Sequence, residues 1–370
     1  MLTILLYCAT ILKGDKIMEK LWRKNLRNIE PYVPGEQSKD KNIIKLNANE
    51  NPYPPSPKAV QVLADFSTDR LRFYPDANAG ILKTAIARHF GVESGNVFVG
   101  NGSDDVIALC FQSFFNGDLP IAFPDITYSF YPVWCRLFNI DYVTPALDSD
   151  FRIVPEDYKK PNGGVVIPNP NAPTSIGENL DFVKKILEYN RDCIVIIDEA
   201  YVAFGGVSAV ELIGEYDNLV VVGTFSKSHS LAGMRIGYAV ASKELIGVLE
   251  AVKNSYNSYT VDALSVAMGA ASISDEEYFN EVTRKIVGTR ERVSEKLRAL
   301  GFDVFDSSAN FIMATHSNYS MKEMFEYLKT KKIFIRYFNL PRIDNYVRIT
   351  IGTDEEMDIF LREVKSFISK

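Results

Sequence analysis

Short, near-continuous apolar runs alternate with amphipathic segments along most of the chain. Val97-Phe98-Val99, residues 119–123, 141–145, Val165-Val166-Ile167-Pro168, Ile194-Val195-Ile196-Ile197 and Leu219-Val220-Val221-Val222-Gly223 read as strands. Residues 57–66, 80–90 and 179–190 carry helical spacing between them, as do the stretch after Asp105 and one ending near residue 138. The second of these sets Ile81, Leu82, Ala85, Ile86 and Phe90 on one stripe; the helix after Asp105 turns Val106, Ile107, Leu109, Cys110 and Phe114 inward. Strands that are apolar on both faces, each followed by a helix, predict an open, mostly parallel α/β sheet. Ile236-Gly237-Tyr238-Ala239-Val240 reads as a strand closing an edge of it. Residues 243–253 are helical, and 261–299 read as one long charged helix. From there the pattern turns α+β, with strands at 302–305, 310–313, 333–336 and 346–351 and helices at 320–331 and 354–369.

The turn-rich Asn49-Glu50-Asn51-Pro52-Tyr53-Pro54-Pro55 marks a domain boundary. The division that follows is a large α/β domain at 51–274 and a small α+β domain formed by 18–50, an arm, together with 275–370. Residues 1–17 read either as an extension upstream of Met18 or as a short N-terminal strand or arm.

Ligands of open α/β sheets sit beyond the carboxyl ends of the strands. Four polar clusters fall there, at residues 101–104, 169–174, 198–201 and 224–227. The last opens Thr224-Phe225-Ser226-Lys227-Ser228-His229-Ser230-Leu231-Ala232-Gly233-Met234-Arg235. A lysine at the end of a buried strand is a candidate amine nucleophile, and Thr224, Ser226 and Arg235 could hold a phosphate beside it. Gly100-Asn101-Gly102-Ser103-Asp104-Asp105 joins a strand to a helix, which presents backbone N–H groups and a helix dipole to an anion. It lacks the full GxGxxG of a dinucleotide site. Tyr128 could stack on a flat ligand. Arg348, flanked by Val347 and Ile349, points away from the buried face of its strand, towards solvent or a cleft.

Composition narrows the classes. The 370 residues are 46% hydrophobic and 24% charged, enough for two domains with a sizeable core, and the net charge of −6 disfavours nucleic acid and anionic membranes as partners. Three scattered histidines (His89, His229, His316) leave little room for a histidine-based metal site. Cys8, Cys110, Cys135 and Cys193 show no CxxC spacing, which fits a reduced cytoplasm. The apolar N-terminal run is too short to span a bilayer.

Four motifs together resemble the fold-type I pyridoxal phosphate aminotransferases, and among them the histidinol-phosphate aminotransferase family. They are Ser226-Lys227 with Arg235 eight residues on, Asp198-Glu199-Ala200-Tyr201, Leu46-Asn47-Ala48-Asn49-Glu50-Asn51-Pro52, and Val347-Arg348-Ile349-Thr350-Ile351-Gly352. The resemblance covers about residues 20–368. It implies a three-layer αβα large domain on a mostly parallel sheet, a smaller α+β domain and pyridoxal 5′-phosphate as cofactor. Lys227 would bind that cofactor covalently and move the proton. Asp198 would pair with the pyridine nitrogen, Tyr201 and Asn171 would face the phenolic oxygen, and Tyr128 would stack on the ring. Gly102, Ser103, Asp104, Thr224, Ser226 and Arg235 would cradle the phosphate, and Tyr74 would reach the cofactor phosphate of a second subunit in a homodimer. Tyr32, Arg336 and Arg348 would clamp the substrate. One departure stands out: where the family usually has Asn-Pro-Thr-Gly, this chain has Ala172-Pro173-Thr174-Ser175.

The implied reaction is cytoplasmic transamination of histidinol phosphate with 2-oxoglutarate, in histidine biosynthesis, with no metal, nucleic acid or membrane partner. Sibling activities stay open at this point, namely aromatic amino acid transamination or threonine-phosphate decarboxylation. So do two readings of another class, a nucleotide-binding dehydrogenase and a non-catalytic regulator on the same fold.

Overall fold

The computed structural model describes residues 21–32, 36, 40 and 42–369. The proposed extension at 1–17 and residues 18–20, 33–35, 37–39 and 41 of the arm lie outside the described residues. By their contacts, residues fall into two units, Met1–Pro31 and Tyr32–Lys370. The first contributes one described element, the 3-10 turn Leu21–Asn25, with Trp22 and Leu26 exposed. Everything below concerns the second.

A two-residue strand, β1 (Ile44–Lys45), precedes the main sheet. The sheet's seven strands are β2 (Val97–Gly100), β3 (Ile121–Ala122), β4 (Tyr142–Val143), β5 (Gly164–Pro168), β6 (Val195–Asp198), β7 (Leu219–Thr224) and β8 (Gly237–Ala241). Their order is β2-β8-β7-β6-β5-β3-β4, parallel throughout except that β8 runs against both neighbours. Alternation sorts the central strands into two cores. Val165, Ile167, Val195, Ile197, Leu219 and Val221 pack on one face with helix Leu180–Tyr189. Val166, Ile196, Val220 and Val222 pack on the other with helices Ser103–Phe114, Tyr131–Phe138 and Lys243–Tyr256. Each such side chain, fully buried, contributes about 1.5–3 kcal/mol. The three-layer α/β reading therefore holds.

Beyond the main sheet lie β9 (Asp303–Val304), β10 (Phe311–Thr315), β11 (Ile333–Phe334), β12 (Arg336–Tyr337) and β13 (Val347–Thr350). Four of them form an antiparallel sheet in the order β12-β13-β10-β9; β11 pairs in parallel with β1. Helices Glu276–Ala299, Met321–Thr330 and Asp354–Ile368 supply the other side of this smaller core.

Several expected elements differ. The strand expected to close an edge, β8, is instead inserted between β2 and β7. It fits because Gly237 has no Cβ; one there would lie 2.3 Å from the Gly102 carbonyl carbon. The long helix expected over 261–299 is two, Ala263–Ile273 and Glu276–Ala299, broken where Asp275 accepts from Ser56 Oγ at 2.7 Å and pairs with Lys58 at 3.1 Å. The strand expected at 333–336 splits between two sheets around buried Ile335. In helix Ser103–Phe114 it is Phe111 that is fully buried, and Phe114 only half-buried; Ile81 is exposed.

Candidate active site

The strand-end clusters do converge. Because β2 is parallel to β7, the turn after Gly100, the loop after Pro168, the Asp198–Tyr201 turn and the Thr224–Lys227 segment share one edge of the sheet. They line a cavity of about 340 Å³, also lined by Lys45, Asn47, Ala48, Asn49, Glu50, Arg336, Phe338 and Arg348.

Lys227 lies three residues past the end of β7, half-buried, with Nζ 3.4 Å from the Ala48 carbonyl and 5.8 Å from the centre of the Tyr201 ring. Asp198 ends β6 at the cavity floor, 6% exposed. Its Oδ2 accepts from the Tyr131 hydroxyl at 2.8 Å and its Oδ1 from the Ala200 N–H at 3.2 Å. Burial pushes its carboxyl up to about 6, against the opposing pull of those two hydrogen bonds. A buried carboxylate facing the cavity is suited to a cationic N–H of a ligand.

An anion cradle occupies one end. Helix Ser103–Phe114 begins here, so the unpaired N–H groups of its first turn and its dipole face the cavity. Gly102 takes φ +87°, and a Cβ on it would come within 2.5 Å of Arg235 Nη2, so glycine is what lets the guanidinium lie against the turn. Arg235 Nη2 is 3.4 Å from Asp104 Oδ2, while Tyr128 donates to Asp104 Oδ1 at 2.9 Å. Thr224 and Ser226 hydroxyls are 2.9 Å apart.

At the other end, Tyr32 stacks on Phe130 at 4.4 Å and lines the cavity. Arg336 and Arg348 are direct cross-strand partners in β12 and β13. Both lie near the Phe338 ring, at 5.6 and 5.8 Å, and Arg348 lies 5.3 Å from that of Phe311. Arg348 donates one bond, Nη2 to the Asn47 carbonyl at 2.9 Å; its buried Nε has no partner. Burial pushes its guanidinium below the usual arginine range, and Arg336 adds to the effect. Among the described residues neither arginine is in an ion pair. Like charges directly opposed on a sheet destabilise it.

Of the residues singled out from sequence, Lys227, Ser103, Asp104, Tyr128, Asp198, Tyr201, Thr224, Ser226, Arg235, Tyr32, Arg336 and Arg348 all line the cavity. Gly102 shapes it without lining it. Asn171 does not reach it, which corrects the expectation of a ring contact. Its amide nitrogen donates to the Ile126 carbonyl (3.0 Å) and Thr174 Oγ1 (3.1 Å), and its oxygen accepts from Thr127 Oγ1 (3.2 Å). The neighbouring Ala172 offers the cavity only a methyl group. Tyr74 is 82% exposed, stacked on Tyr259 at 4.7 Å beside a second hollow that shares Arg235. Sequence reasoning missed Tyr131, Asn49 and Phe338. Tyr131 follows Tyr128 at a helical spacing and reads as core; Asn49 lies within the Leu46–Pro52 motif, which gives it no role of its own, and Phe338 carries no local signal.

Among the described residues there is no cluster of acidic, histidine and cysteine side chains fit for a metal, and no helix long and apolar enough to cross a membrane.

A strand-end lysine, a buried carboxylate and the N-terminus of a helix beside Arg235 thus meet around one cavity. Residues 41–364 match the family described as aminotransferase class I and II, and the chain belongs to that family. A histidinol-phosphate aminotransferase of Clostridium botulinum (strain Okra) is 50% identical over 353 residues, covering 95% of this chain and 100% of its own. That of Clostridium beijerinckii is 49% identical over 352 residues, covering 95% and 98%. Among solved structures, the histidinol-phosphate aminotransferase of Clostridium acetobutylicum aligns with a TM-score of 0.81 at 25% identity, over 88% of this chain and 99% of its own. The Sinorhizobium meliloti enzyme, solved in complex with pyridoxal 5′-phosphate, has the same fold, with a TM-score of 0.83 at 22% identity over 96% and 100%. The family sets aside the dehydrogenase and regulator readings.

Proposed function

We propose that this protein transaminates histidinol phosphate with 2-oxoglutarate, using pyridoxal 5′-phosphate held by the cavity described above. The donor set suits that cofactor. The cradle of Ser103, Asp104 N–H, Ser226 and Arg235 takes the phosphate, Asp198 takes the ring nitrogen, Tyr201 faces the phenolic oxygen, and Tyr128 borders the ring. When bound, the cofactor supplies a carbonyl for amines and an electron sink for a carbanion. Lys227 binds it and moves the proton at the substrate Cα; Asp198 holds its negative charge at the ring nitrogen; the small sheet screens the cavity from water. We keep the division in which 51–274 hold the cofactor and 18–50 with 275–370 present the substrate arginines.

The observation that carries the substrate reading is the opposed pair Arg336 and Arg348, with a buried Nε left unpartnered. Two guanidiniums held together without a carboxylate call for an anionic substrate group, and planar forks suit a phosphate or a carboxylate alike. The same pair therefore serves the phosphate of the donor and the carboxylates of 2-oxoglutarate and glutamate in turn. A half-reaction panel tests this: histidinol phosphate should convert the bound cofactor fastest, ahead of phenylalanine and threonine phosphate. A strong preference for the unphosphorylated aromatic donor would overturn the assignment.

We also propose a cytoplasmic homodimer. Among the described cysteines, Cys110, Cys135 and Cys193 are free thiols, as a reducing compartment requires. Leu63, Leu71, Phe73, Tyr74, Ile81 and Tyr256 are all more than half exposed, more apolar surface than a monomer needs to show. With Tyr74 serving the partner's site, Tyr74→Ala and Lys227→Ala proteins, each impaired alone, should complement when subunits are exchanged. In a 1:1 mixture half the dimers are mixed and each holds one complete site, so about a quarter of parent activity should return. If Tyr74 serves its own subunit's site, mixing restores nothing.

A further inference from the structure

Asn49 sits in the segment between β1 and helix Pro57–Asp65, outside every motif role assigned above, yet it is 1% exposed and borders the cavity. Its backbone takes φ +53°, a left-handed conformation that asparagine, aspartate and glycine tolerate best. Every polar group of the residue is used. Its N–H donates to Thr350 Oγ1 at 3.0 Å, its carbonyl accepts from Asn310 Nδ2 at 3.0 Å, its Oδ1 accepts from Thr350 Oγ1 at 3.1 Å, and its Nδ2 donates to the Tyr201 hydroxyl at 3.0 Å.

This arrangement fixes the orientation of the amide. The Thr350 hydroxyl already accepts the Asn49 N–H, so its own proton goes to Asn49 Oδ1. The reverse orientation would set two N–H donors on that oxygen and leave the buried Thr350 proton without a partner. The amide nitrogen is thereby committed to Tyr201, whose oxygen accepts, and the Tyr201 proton must turn elsewhere, into the cavity. A hydroxyl that accepts one bond also donates a stronger one. The Asn171 side chain is spent inside its loop and that of Ala172 is a methyl group, so neither side chain offers a donor on that side.

We propose that Asn49 is a positioning residue that fixes Tyr201 as a hydrogen-bond donor towards the cavity, and so holds down the proton affinity of the bound cofactor. The inference rests on the cofactor reading above. It also ties the cofactor to the substrate strand, because Thr350 is two residues from Arg348 in β13.

The test is the pH midpoint of the visible absorbance change in holoenzyme, compared between parent, Asn49→Asp, Asn49→Gly and the same changes in a Tyr201→Phe background. Asn49→Asp keeps shape and backbone but turns the donor into an acceptor, which draws the Tyr201 proton away. Its midpoint should rise by about one pH unit or more, a tenfold gain in proton affinity. Asn49→Gly suits φ +53° and removes the donor to Tyr201, together with the acceptor of the Thr350 hydroxyl, without adding charge; its midpoint should rise less, and it carries the test if the aspartate variant does not fold. In Tyr201→Phe protein most of both shifts should vanish. A coloured Asn49→Asp or Asn49→Gly enzyme that titrates like the parent, or a downward shift, overturns the proposal. So does a shift that survives intact without the Tyr201 hydroxyl, which would make it a direct effect of charge. A parent protein that never colours with added cofactor removes the cofactor reading instead, and this one with it.

Discussion

Lys227→Ala should lose turnover by at least about 10⁴-fold, because in the proposed mechanism one amine serves both as nucleophile and as proton carrier and no neighbour can replace it. Among the described residues that line the cavity the other amine is Lys45, which is engaged with Glu50 at 2.7 Å. The fold should be untouched: the Lys227 side chain is half-buried, with one long hydrogen bond to the Ala48 carbonyl at 3.4 Å and its ammonium 5.8 Å from the centre of the Tyr201 ring. Cofactor binding should survive in weakened form, since the cradle at Gly102, Ser226 and Arg235 and the Asp198 carboxylate do not depend on the amine. Two measurements check this. Borohydride treatment of the parent should remove the visible band and fix the cofactor's mass on the peptide containing Lys227, whereas the variant should release its cofactor on denaturation. Activity of the variant near the parent level would refute the assignment.

What sequence made readable, and what it did not, follows from where each contact is closed. Lys227, Asp198 and the Gly102 turn each end an apolar run, so the strand pattern that gives the fold also places them on one edge. The exception proves instructive at Asn171. It too follows a buried strand, but Ile126 O and Thr174 Oγ1 lie within reach of its amide, and the side chain turns inward to satisfy them. Nothing in a one-dimensional pattern distinguishes these two fates of a polar loop residue. Asn49 and Tyr131 were invisible for another reason. Their roles rest on partners 301 and 67 positions away, Thr350 and Asp198, and only the closed structure brings those together. The misplacement of β8 has the same origin. Its position between β2 and β7 depends on a glycine contact with a turn more than a hundred residues earlier, whereas its apolar character alone is compatible with an edge. The two arginines stood between these cases. Alternation in β13 pointed Arg348 away from the core, but its opposition to Arg336 is a matter of register.

Asp198→Asn should separate function from stability in opposite directions. In the proposed holoenzyme the carboxylate faces a cationic ring nitrogen; the amide is nearly the same shape, and its oxygen can keep the Ala200 N–H while its NH2 donates to the Tyr131 hydroxyl oxygen, but it carries no charge. Breaking a buried charge pair costs about 3–5 kcal/mol, so turnover should fall by about 100- to 1000-fold or more, with weaker retention of cofactor. The cofactor-free protein should respond the other way. Burial raises the Asp198 carboxyl from 3.8 to about 6, so the folded state holds a proton that the unfolded chain has released between those pH values. The stability this group contributes is complete below about pH 3.8 and is lost as pH rises through about 6. Above that, the fold carries an ionised carboxylate at a cost of about 3 kcal/mol, the free-energy equivalent of moving its pKa from 3.8 to about 6. Asparagine has no such cost. Denaturant unfolding of the cofactor-free proteins should therefore show the variant more stable than the parent at pH 8 and the difference shrinking towards pH 5. Saturating cofactor should reverse the order at pH 8, because only the parent's carboxylate gains a cationic partner. A variant less stable than the parent at pH 8 without cofactor would mean that Tyr131 and Ala200 more than offset the burial of the charge. In that case the carboxylate would be a structural group at home in its site, and its proposed pairing with the ring nitrogen would lose its physical basis.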